Sequence, residues 1–176
     1  MSPHQSGAQQ AELHLAYRSH LRDLHALADP SQLIRLDLYA CSVSDLSPLA
    51  ELTQLTRLDL DRCPRVRDLS PLVGLTQLTT LHLIGCWQVD LSSLAELTQL
   101  TTLGLFRCEQ VSDLSPLAGL TQLTTLSLCW CKQVSDLSPL AGLTQLTRLD
   151  LRGCGRRIRV RHLQVLAGIP QLTIVR

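Results

Sequence analysis

Leucines recur along most of the chain in a fixed spacing, separated by one or two variable residues. The segment LTQLTRLDLDRC that begins at Leu52 returns with small changes at Leu75, Leu97, Leu120 and Leu143. An earlier copy begins at Pro30, so successive copies start 22 or 23 residues apart. Repeats of this length stack into solenoids, in which each unit contacts mainly its two neighbours.

Each repeat begins with a strand pattern. We number the repeat positions from the leucine that opens LxxLxLxxC, so that cysteine occupies position 9. Positions 4 and 6 flank one variable residue, as in Leu58-Asp59-Leu60. This alternation predicts a short strand with leucines facing inward and positions 3, 5 and 7 facing outward. Strands one repeat apart run in the same direction, so they should form a parallel sheet.

The second half of most repeats reads VxDLSPLAG or a close variant. Ser-Pro favours the start of a helix, but the run before the small residue is so short that we expect a single 3₁₀ turn. Neighbouring strands are about 4.8 Å apart, and the turns are bulkier, so the stack should curve around the sheet. We therefore predict an α/β repeat solenoid: a curved array with a parallel β-sheet on its concave face and short 3₁₀ or helical turns on its convex face.

This pattern resembles the leucine-rich repeat, specifically the short bacterial internalin type LxxLxLxxNxIxDLxxLxxL, over residues 30–154. The resemblance implies a bacterial leucine-rich-repeat array. That family usually has asparagine at position 9, where the side chains bridge loop backbones in a ladder. Cysteine replaces it here and is only a weak hydrogen-bond donor. We therefore expect this column to be more hydrophobic and less hydrogen-bonded than the asparagine ladder.

The N-terminal end departs from the regular repeats. Residues 1–10 are polar and predicted to be a disordered tail. Residues 11–29 fit two interpretations. Leu13, Tyr17 and Leu21 fall at helical spacing, but Leu13 also fits position 4 of a repeat that continues the register without a slip. We favour a degenerate first repeat that caps the array.

The C-terminal end also departs from the pattern, after the regular repeats of residues 30–154. Residues 155–176 should form a capping repeat, in which RHLQVLAG is long enough for a helical turn or two and LTIVR is a final strand. Residues 148–176 hold seven arginines and one aspartate, although the whole chain has a net charge of only +1. A solvated cap explains these arginines, and docking of an acidic partner or nucleic acid is the alternative.

The arginines give only a weak nucleic-acid signal. Arg156, Arg157, Arg159 and Arg161 are clustered, but no aromatic residues lie among them. The chain also has no apolar run long enough to span a bilayer and no apolar signal core near its start. We therefore expect no membrane partner and a cytoplasmic location.

Repeat positions 5, 7 and 8 differ in nearly every copy, whereas the leucine, cysteine and Ser-Pro positions barely change. All five aromatic residues lie at or next to these variable positions, and none replaces a core leucine. The apolar residues Ile84, Phe106, Cys129 and Trp130 should be adjacent, with charged residues on either side. Neutral drift of duplicated repeats is the alternative, but drift should favour polar residues. An apolar centre with a charged rim is typical of a protein-binding surface.

These observations predict a non-enzymatic module that binds another protein through its concave sheet face. Polyanion or nucleic-acid binding through the arginine-rich end is the alternative. The predicted contact residues share an outward position on the sheet or at its exit: Tyr39, Asp59, Asp61, Arg62, His82, Ile84, Trp87, Phe106, Arg107, Ser127, Cys129, Trp130, Asp150 and Arg152.

Seven cysteines suggest a disulfide framework or a metal site, but their positions argue against both. Six of them occupy position 9 and should form a buried column of free thiols that all point the same way: Cys41, Cys63, Cys86, Cys108, Cys131 and Cys154. Cys129, at position 7, should be the exposed and most reactive thiol.

Aspartates form a second column, at position 14. We expect them to cap the Ser-Pro turns: Asp45, Asp68, Asp90, Asp113 and Asp136. One carboxylate per turn does not build a calcium site. His82 has neither a serine–histidine–aspartate set nor a phosphate-binding loop beside it in the sequence. We therefore expect no catalytic residues, cofactor, metal or small-molecule substrate.

Overall fold

The computed structural model describes residues 11–22, 24–25, 32–154, 158 and 160–176. Eight short strands form a single sheet in chain order: β1 (Ala11–His14), β2 (Leu33–Asp37), β3 (Arg57–Asp59), β4 (Thr80–His82), β5 (Thr102–Gly104), β6 (Thr125–Ser127), β7 (Arg148–Asp150) and β8 (Thr173–Val175). Each strand pairs in parallel with the next one along the chain. The chain thus adds one strand per repeat, and the predicted leucine-rich-repeat solenoid is confirmed.

Short turns lie opposite the sheet. The 3₁₀ turns of the regular repeats are Ser47–Glu51, Ser70–Leu72, Ser92–Glu96, Ser115–Leu117 and Ser138–Leu140. Near the C-terminus a helical turn forms, α1 (Val160–Leu163), and it is followed by the 3₁₀ turn Gln164–Leu166. None of the helices in the part of the chain that the structure describes has the length and apolar character needed to cross a membrane.

The aspartate at position 14 holds the start of each 3₁₀ turn. Its Oδ1 accepts the backbone N–H of the serine two residues later, at 2.8 Å for Asp113 and 2.9 Å for Asp90. The same bond recurs at Asp45, Asp68 and Asp136. The column is therefore a set of turn caps, as the sequence predicted.

The core is a single stack of leucines between the sheet and the turns. Leu58 and Leu60 from the strand side and Leu69 and Leu72 from the turn side are all buried. The equivalent residues of neighbouring repeats pack against them in one continuous cluster. Because each layer is covered by the next, a repeat is stable only within the array.

Residues 11–22 follow the repeat geometry. Leu13 pairs with Leu36 in β2, which is the register of position 4. Tyr17 has a positive φ of 63°, like the residues at position 8 of the regular repeats. This segment is thus an extra strand and turn, not a helix. The predicted tail at 1–10 and all of residues 26–31 lie outside the described residues, so the boundaries of the end units stay predictions.

A tight turn follows each strand, which the sequence analysis did not foresee. The N–H of Cys63 donates to the carbonyl of Leu60 at 3.1 Å, and position 8 between them, Arg62, has φ 57°. A positive φ at the third residue is the geometry of a type II turn, which favours glycine. Gly85 and Gly153 occupy this position in two repeats, and a non-glycine residue accepts the left-handed conformation in the others.

The cysteine column is buried, and each of its thiols also makes a weak hydrogen bond. All six position-9 thiols are buried, and each Sγ lies 2.9–3.3 Å from a position-6 carbonyl oxygen of the preceding repeat. The column is therefore hydrophobic, as predicted, but it carries one S–H···O bond per repeat, since the turn brings the carbonyl within reach of the thiol.

Threonines at position 2 form a parallel ladder that the sequence did not reveal. The hydroxyl of Thr79 donates to the carbonyl of Thr56, and that of Thr101 donates to the carbonyl of Thr79, both at 3.0 Å. The ladder continues through Thr124 and Thr147. It ties successive repeats together at the entry of the strands, as the thiols do at their exit.

Candidate interaction face

The sheet register places the outward positions in rows across the concave face. Position 5 gives the row His14, Asp37, Asp59, His82, Gly104, Ser127 and Asp150, because each of these residues pairs with the next. Carboxylates and imidazoles therefore cluster in the N-terminal half of the row. Glycine and serine occupy its centre, so no large or charged side chain projects from the row there.

Position 7 gives a second row, at the exit of the strands. The N–H of each position-8 residue donates to the position-7 carbonyl of the next repeat, as Arg62 does to Ile84 and Arg107 does to Cys129. Tyr39, Asp61, Ile84, Phe106, Cys129 and Arg152 are thus linked side by side. The row changes from polar to apolar and back to polar, as the sequence predicted.

An apolar depression of about 340 Å³ lies at the centre of this exit edge. Ile84, Trp87 and Phe106 supply its apolar walls, and Arg62 and Arg107 flank them. Ile84 and Phe106 are half-buried, while Trp87 is 56% exposed. Pro64 also lines the depression. Pro64 was not among the predicted contact residues, although it shares position 10 with Trp87, because attention there went to the aromatic ring alone.

Cationic side chains cover the aromatic rings along the same edge. The guanidinium carbon of Arg107 lies 5.5 Å from the centre of the Phe106 ring and 6.0 Å from that of Trp130. Arg62 lies 5.5 Å from the Tyr39 ring in the same way. These cation–π contacts hold long side chains in place over apolar surface. Trp130 therefore does not line the apolar depression itself. It contacts Arg107, which does.

Cys129 is not the exposed thiol that the sequence predicted. Its side chain is only 3% exposed, and burial raises the pKa of its thiol. Position 7 still faces outward in other repeats, as Phe106 and Arg152 show, and Cys129 does not belong to the leucine core cluster. Its burial therefore comes from neighbours on the outer face, where the charges of Asp150 and Arg152 act on its thiol. All seven cysteines are free and buried.

Two predicted rim residues are also less available than expected. Asp150 is 5% exposed, and its carboxylate is held by Arg152, whose Nη2 lies 2.6 Å from Oδ2. Asp61 is 7% exposed, and its Oδ1 accepts the N–H of Ile84 at 2.7 Å. Both carboxylates are thus engaged inside the protein, while Arg152 keeps an exposed face.

Asp59, Asp61 and His82 form a compact titratable group on the concave face. His82 Nδ1 lies 3.4 Å from Asp59 Oδ2 and 4.0 Å from Asp61 Oδ2. Burial raises the pKa of Asp61 to about 6. Burial acts on Asp59 too, but hydrogen bonds from His82 and the N–H of Asp61 prevail and lower its pKa. The environment therefore shifts the pKa values of the two carboxylates in opposite directions.

A second, strongly charged depression of about 350 Å³ lies over β1 to β4. Arg35 Nη1 lies 2.9 Å from Glu12 Oε1 within it, and Arg57 lies beside them. This end of the concave face is polar, whereas the exit edge at the centre is apolar. Of the clustered C-terminal arginines, Arg156, Arg157 and Arg159 lie outside the described residues.

Comparisons with known proteins agree with this architecture. A family model for leucine-rich repeats in two copies matches residues 31–74. The crystal structure of an internalin (inlF) from Listeria monocytogenes is similar with a TM-score of 0.72 and 32% identity, over 82% of this chain and 41% of that one. This chain thus spans less than half of that internalin.

Two further solved structures share the fold. Internalin C2 (inlC2) from Listeria monocytogenes has a TM-score of 0.59 and 30% identity, over 82% of this chain and 72% of that one. The plant peptide hormone receptor RGFR1, solved in complex with RGF2, has a TM-score of 0.59 at 17% identity, over 82% of this chain and 24% of that one. A search of curated proteins gave no match.

Leucine-rich-repeat proteins generally mediate protein–protein interactions and are typically non-enzymatic. The stacked parallel strands, the short 3₁₀ turns and the identity to internalin C2 over most of its length show that this chain belongs to the internalin-type leucine-rich-repeat family.

Proposed function

We propose that this chain is a non-enzymatic module that binds a protein partner through its concave face and the adjoining exit edge. The observation that supports this most directly is the apolar depression formed by Ile84, Trp87 and Phe106, with Arg62 and Arg107 on its flanks. Exposed aromatic rings beside arginines are the side chains that most often dominate binding energy at protein interfaces.

The geometry suggests what kind of surface the partner offers. An apolar side chain fits the depression, and carboxylates on either side of it would meet Arg62 and Arg107. Both arginines are already held over rings, Arg62 over Tyr39 and Arg107 over Phe106, so ordering them on binding costs less side-chain entropy. A segment with an apolar residue between acidic ones is therefore the chemistry we propose for the partner.

We also propose that this chain has no catalytic role. The hydrogen bond that the described structure gives to the His82 ring is to Asp59, and no serine or cysteine is bonded to it in that part of the chain. This arrangement lacks a nucleophile for acyl transfer. We also propose a cytoplasmic location, which is supported by seven cysteines that are all free thiols.

Comparative capture from a lysate tests the proposal. The chain, its Trp87→Ala/Phe106→Ala variant and a Val73→Ala control serve as baits, and mass spectrometry compares the bound proteins. Val73 is 39% exposed on the opposite, 3₁₀ side of the repeat. We expect a specific protein that the control retains and the double variant loses at least tenfold.

Two outcomes would overturn the proposal. A partner retained equally by the double variant would not use the exit edge. Nucleic acid or another polyanion that binds all three baits and is released by raised salt would favour the arginine-rich end instead.

A further inference from the structure

Three metal-ligating side chains converge on the concave face in a way that the binding proposal does not use. Asp59 ends β3, Asp61 lies in the turn after it, and His82 pairs with Asp59 across the sheet. One ligand atom from each lies within 4.8 Å of the other two. We propose that Asp59, Asp61 and His82 bind one divalent transition-metal ion of the zinc type, through one oxygen of each carboxylate and Nδ1 of the imidazole.

The backbone orients both carboxylates toward a common point. Asp59 Oδ1 accepts the N–H of Asp61 at 3.0 Å, and Asp61 Oδ1 accepts the N–H of Ile84 at 2.7 Å. The Oδ2 atoms of both residues are those nearest to His82 Nδ1. Backbone bonds that fix one oxygen and leave the other free are the usual support of a carboxylate ligand.

The imidazole is supported as well. Gly104 follows His82 in the position-5 row, and a Cβ at this glycine would lie 3.5 Å from His82 Cδ2. The His82 ring therefore lies beside Gly104, where a larger side chain would contact it. Its Nδ1 faces the carboxylates, so the neutral ring with its proton on Nε2 is the form that binds metal.

Arg57 favours the charged form of both carboxylates, but from a distance rather than by direct contact. The side chains of Asp59 and Asp61 are only 17% and 10% exposed. No lysine or arginine nitrogen of the described residues lies within 4.0 Å of either carboxylate, and the imidazole is the one basic group at that distance. Carboxylates removed from water are costly unless a cation compensates them.

Asp61 Oδ1 accepts the N–H of Ile84, whereas Oδ2 lies 4.0 Å from His82 Nδ1, its nearest basic atom. The side chain is nine-tenths buried, but Oδ2 keeps contact with solvent, since no buried side-chain oxygen of the described residues lacks a hydrogen-bond partner. One oxygen of Asp59, one oxygen of Asp61 and one nitrogen of His82 lie within 4.8 Å of one another. A metal ion at this point would supply the partner that the protein does not.

Another repeat shows how the same positions look when the protein provides the cation. Asp150 and Arg152 occupy positions 5 and 7, as Asp59 and Asp61 do. There the guanidinium of Arg152 binds the Asp150 carboxylate through Nε and Nη2. Asp61 stands at position 7 where the other repeat has Arg152. The repeat of Asp59 therefore has two carboxylates at these positions instead of a carboxylate and a guanidinium.

The ligand set selects the type of ion. One imidazole and two carboxylates suit zinc and its first-row neighbours, whereas calcium takes only oxygen ligands. Bonds of about 2.0–2.2 Å require ligand atoms about 3.3 Å apart, so the side chains must close by roughly 1 Å, which χ rotation allows. Three protein ligands leave the fourth tetrahedral position open on the concave face.

A similar group in β1 and β2 lacks the required geometry. His14 Nδ1 lies 3.4 Å from Asp37 Oδ2, but the second carboxylate, Glu12, lies 3.7 Å from the opposite ring nitrogen. One ion cannot reach both carboxylates and a single nitrogen there, and position 7 of this repeat is Tyr39. His14 therefore offers a matched control.

Zinc titration of the whole chain tests the proposal. The reduced, EDTA-stripped protein is titrated with Zn²⁺ by isothermal calorimetry, and far-ultraviolet circular dichroism checks the fold of each variant. We expect one Zn²⁺ per chain. Asp61→Asn and His82→Gln should each weaken binding about tenfold or more, as loss of a ligand requires, and His14→Gln should leave it unchanged.

Cobalt substitution separates this site from the thiols. Co²⁺ bound by oxygen and nitrogen gives visible d–d bands without the near-ultraviolet charge-transfer band of a thiolate ligand, which is the spectrum we expect. Three results would each overturn the proposal. They are absence of one-to-one Zn²⁺ binding by the wild type, wild-type Zn²⁺ affinity in Asp61→Asn and His82→Gln, and a thiolate band in the Co²⁺ spectrum.

Discussion

The Sγ atom of Cys131 lies 2.9 Å from the carbonyl oxygen of Leu105, in the preceding repeat. That carbonyl also accepts the N–H of Cys108, which closes the turn of its own repeat. Each thiol therefore joins the turn of one repeat to the turn of the next. The cysteine column performs the bridging role of a ladder with one weak bond per repeat.

Replacing Cys131 measures the value of one such bridge. Cys131→Ala removes a buried thiol and its S–H···O bond, so we expect the free energy of unfolding to fall by about 1–2 kcal/mol. Cys131→Ser retains a donor near Leu105, so its free energy of unfolding should lie between those of Cys131→Ala and the wild type. Urea denaturation measures both. Cys129→Ala is the control, since its buried thiol makes no hydrogen bond in the described structure. Equal losses at the two sites would mean that the bond contributes nothing.

Thiol accessibility gives a second prediction. All seven cysteines are buried, and burial raises the pKa of the Cys129 thiol as well as those of the column. We expect no fast-reacting thiol in native DTNB titration and seven after denaturation in guanidinium chloride. A single fast thiol that disappears in Cys129→Ser would show that the sequence-based placement of Cys129 was right and the structure wrong.

The sequence predicted the parts of the molecule that repeat. Leu58 and Leu60 are buried and Asp113 caps its turn because identical local patterns in successive copies favour the same local structure. The exposure of Cys129 was predicted wrongly because alternation gives the face on which a side chain lies, not how far its neighbours on that face cover it; Cys129 lies outside the leucine core cluster but is still buried. The type II turn that follows each strand could have been inferred from Gly85 and Gly153, which share position 8.

The candidate site was predicted only in part, for a physical reason. Ile84 and Phe106 are neighbours because the repeat register requires it, and register is visible in the sequence. The cation–π contacts of Arg107 and the pairing of Asp150 with Arg152 depend on side-chain rotamers. No repeat pattern specifies these rotamers, because they occur at the positions where the copies differ.

The two glycines at position 8 should respond differently to the same substitution. Both have a positive φ, 75° at Gly85 and 69° at Gly153, so alanine costs about 1 kcal/mol of backbone strain at either site. A Cβ at Gly85 meets nothing closer than 3.7 Å, but at Gly153 it would lie 2.6 Å from Trp130 Cδ2. Overpacking against Trp130 should therefore lower the free energy of unfolding of Gly153→Ala by roughly a further 1–3 kcal/mol.

A double variant identifies the source of that difference. In Trp130→Ala/Gly153→Ala the indole is absent, so the added cost of the Gly153 substitution should fall to that of Gly85→Ala. Thermal or urea unfolding of the five proteins, including the wild type and Trp130→Ala, provides the comparison. If Gly153→Ala costs the same with and without Trp130, the ring does not rest on this glycine in solution.

The capping aspartates predict how stability depends on pH. Hydrogen bonds from Ser138 lower the pKa of Asp136, and bonds from Ser70 and Ser115 lower those of Asp68 and Asp113. An acid whose folded pKa lies below its unfolded value of about 3.9 binds fewer protons in the folded state. Its stabilising contribution is therefore complete above that pH and disappears as the pH falls through the folded pKa.

Asparagine at the three caps should remove this dependence. Its amide oxygen can still accept the serine N–H, but it does not titrate. The Asp68→Asn/Asp113→Asn/Asp136→Asn variant should therefore be less stable than the wild type at pH 7, and the difference should shrink as the pH falls from about 4 toward 2. Urea denaturation at a series of pH values measures the two curves. If the curves stay parallel over that interval, the caps do not act through their charge, and the hydrogen bonds to serine alone hold the 3₁₀ turns.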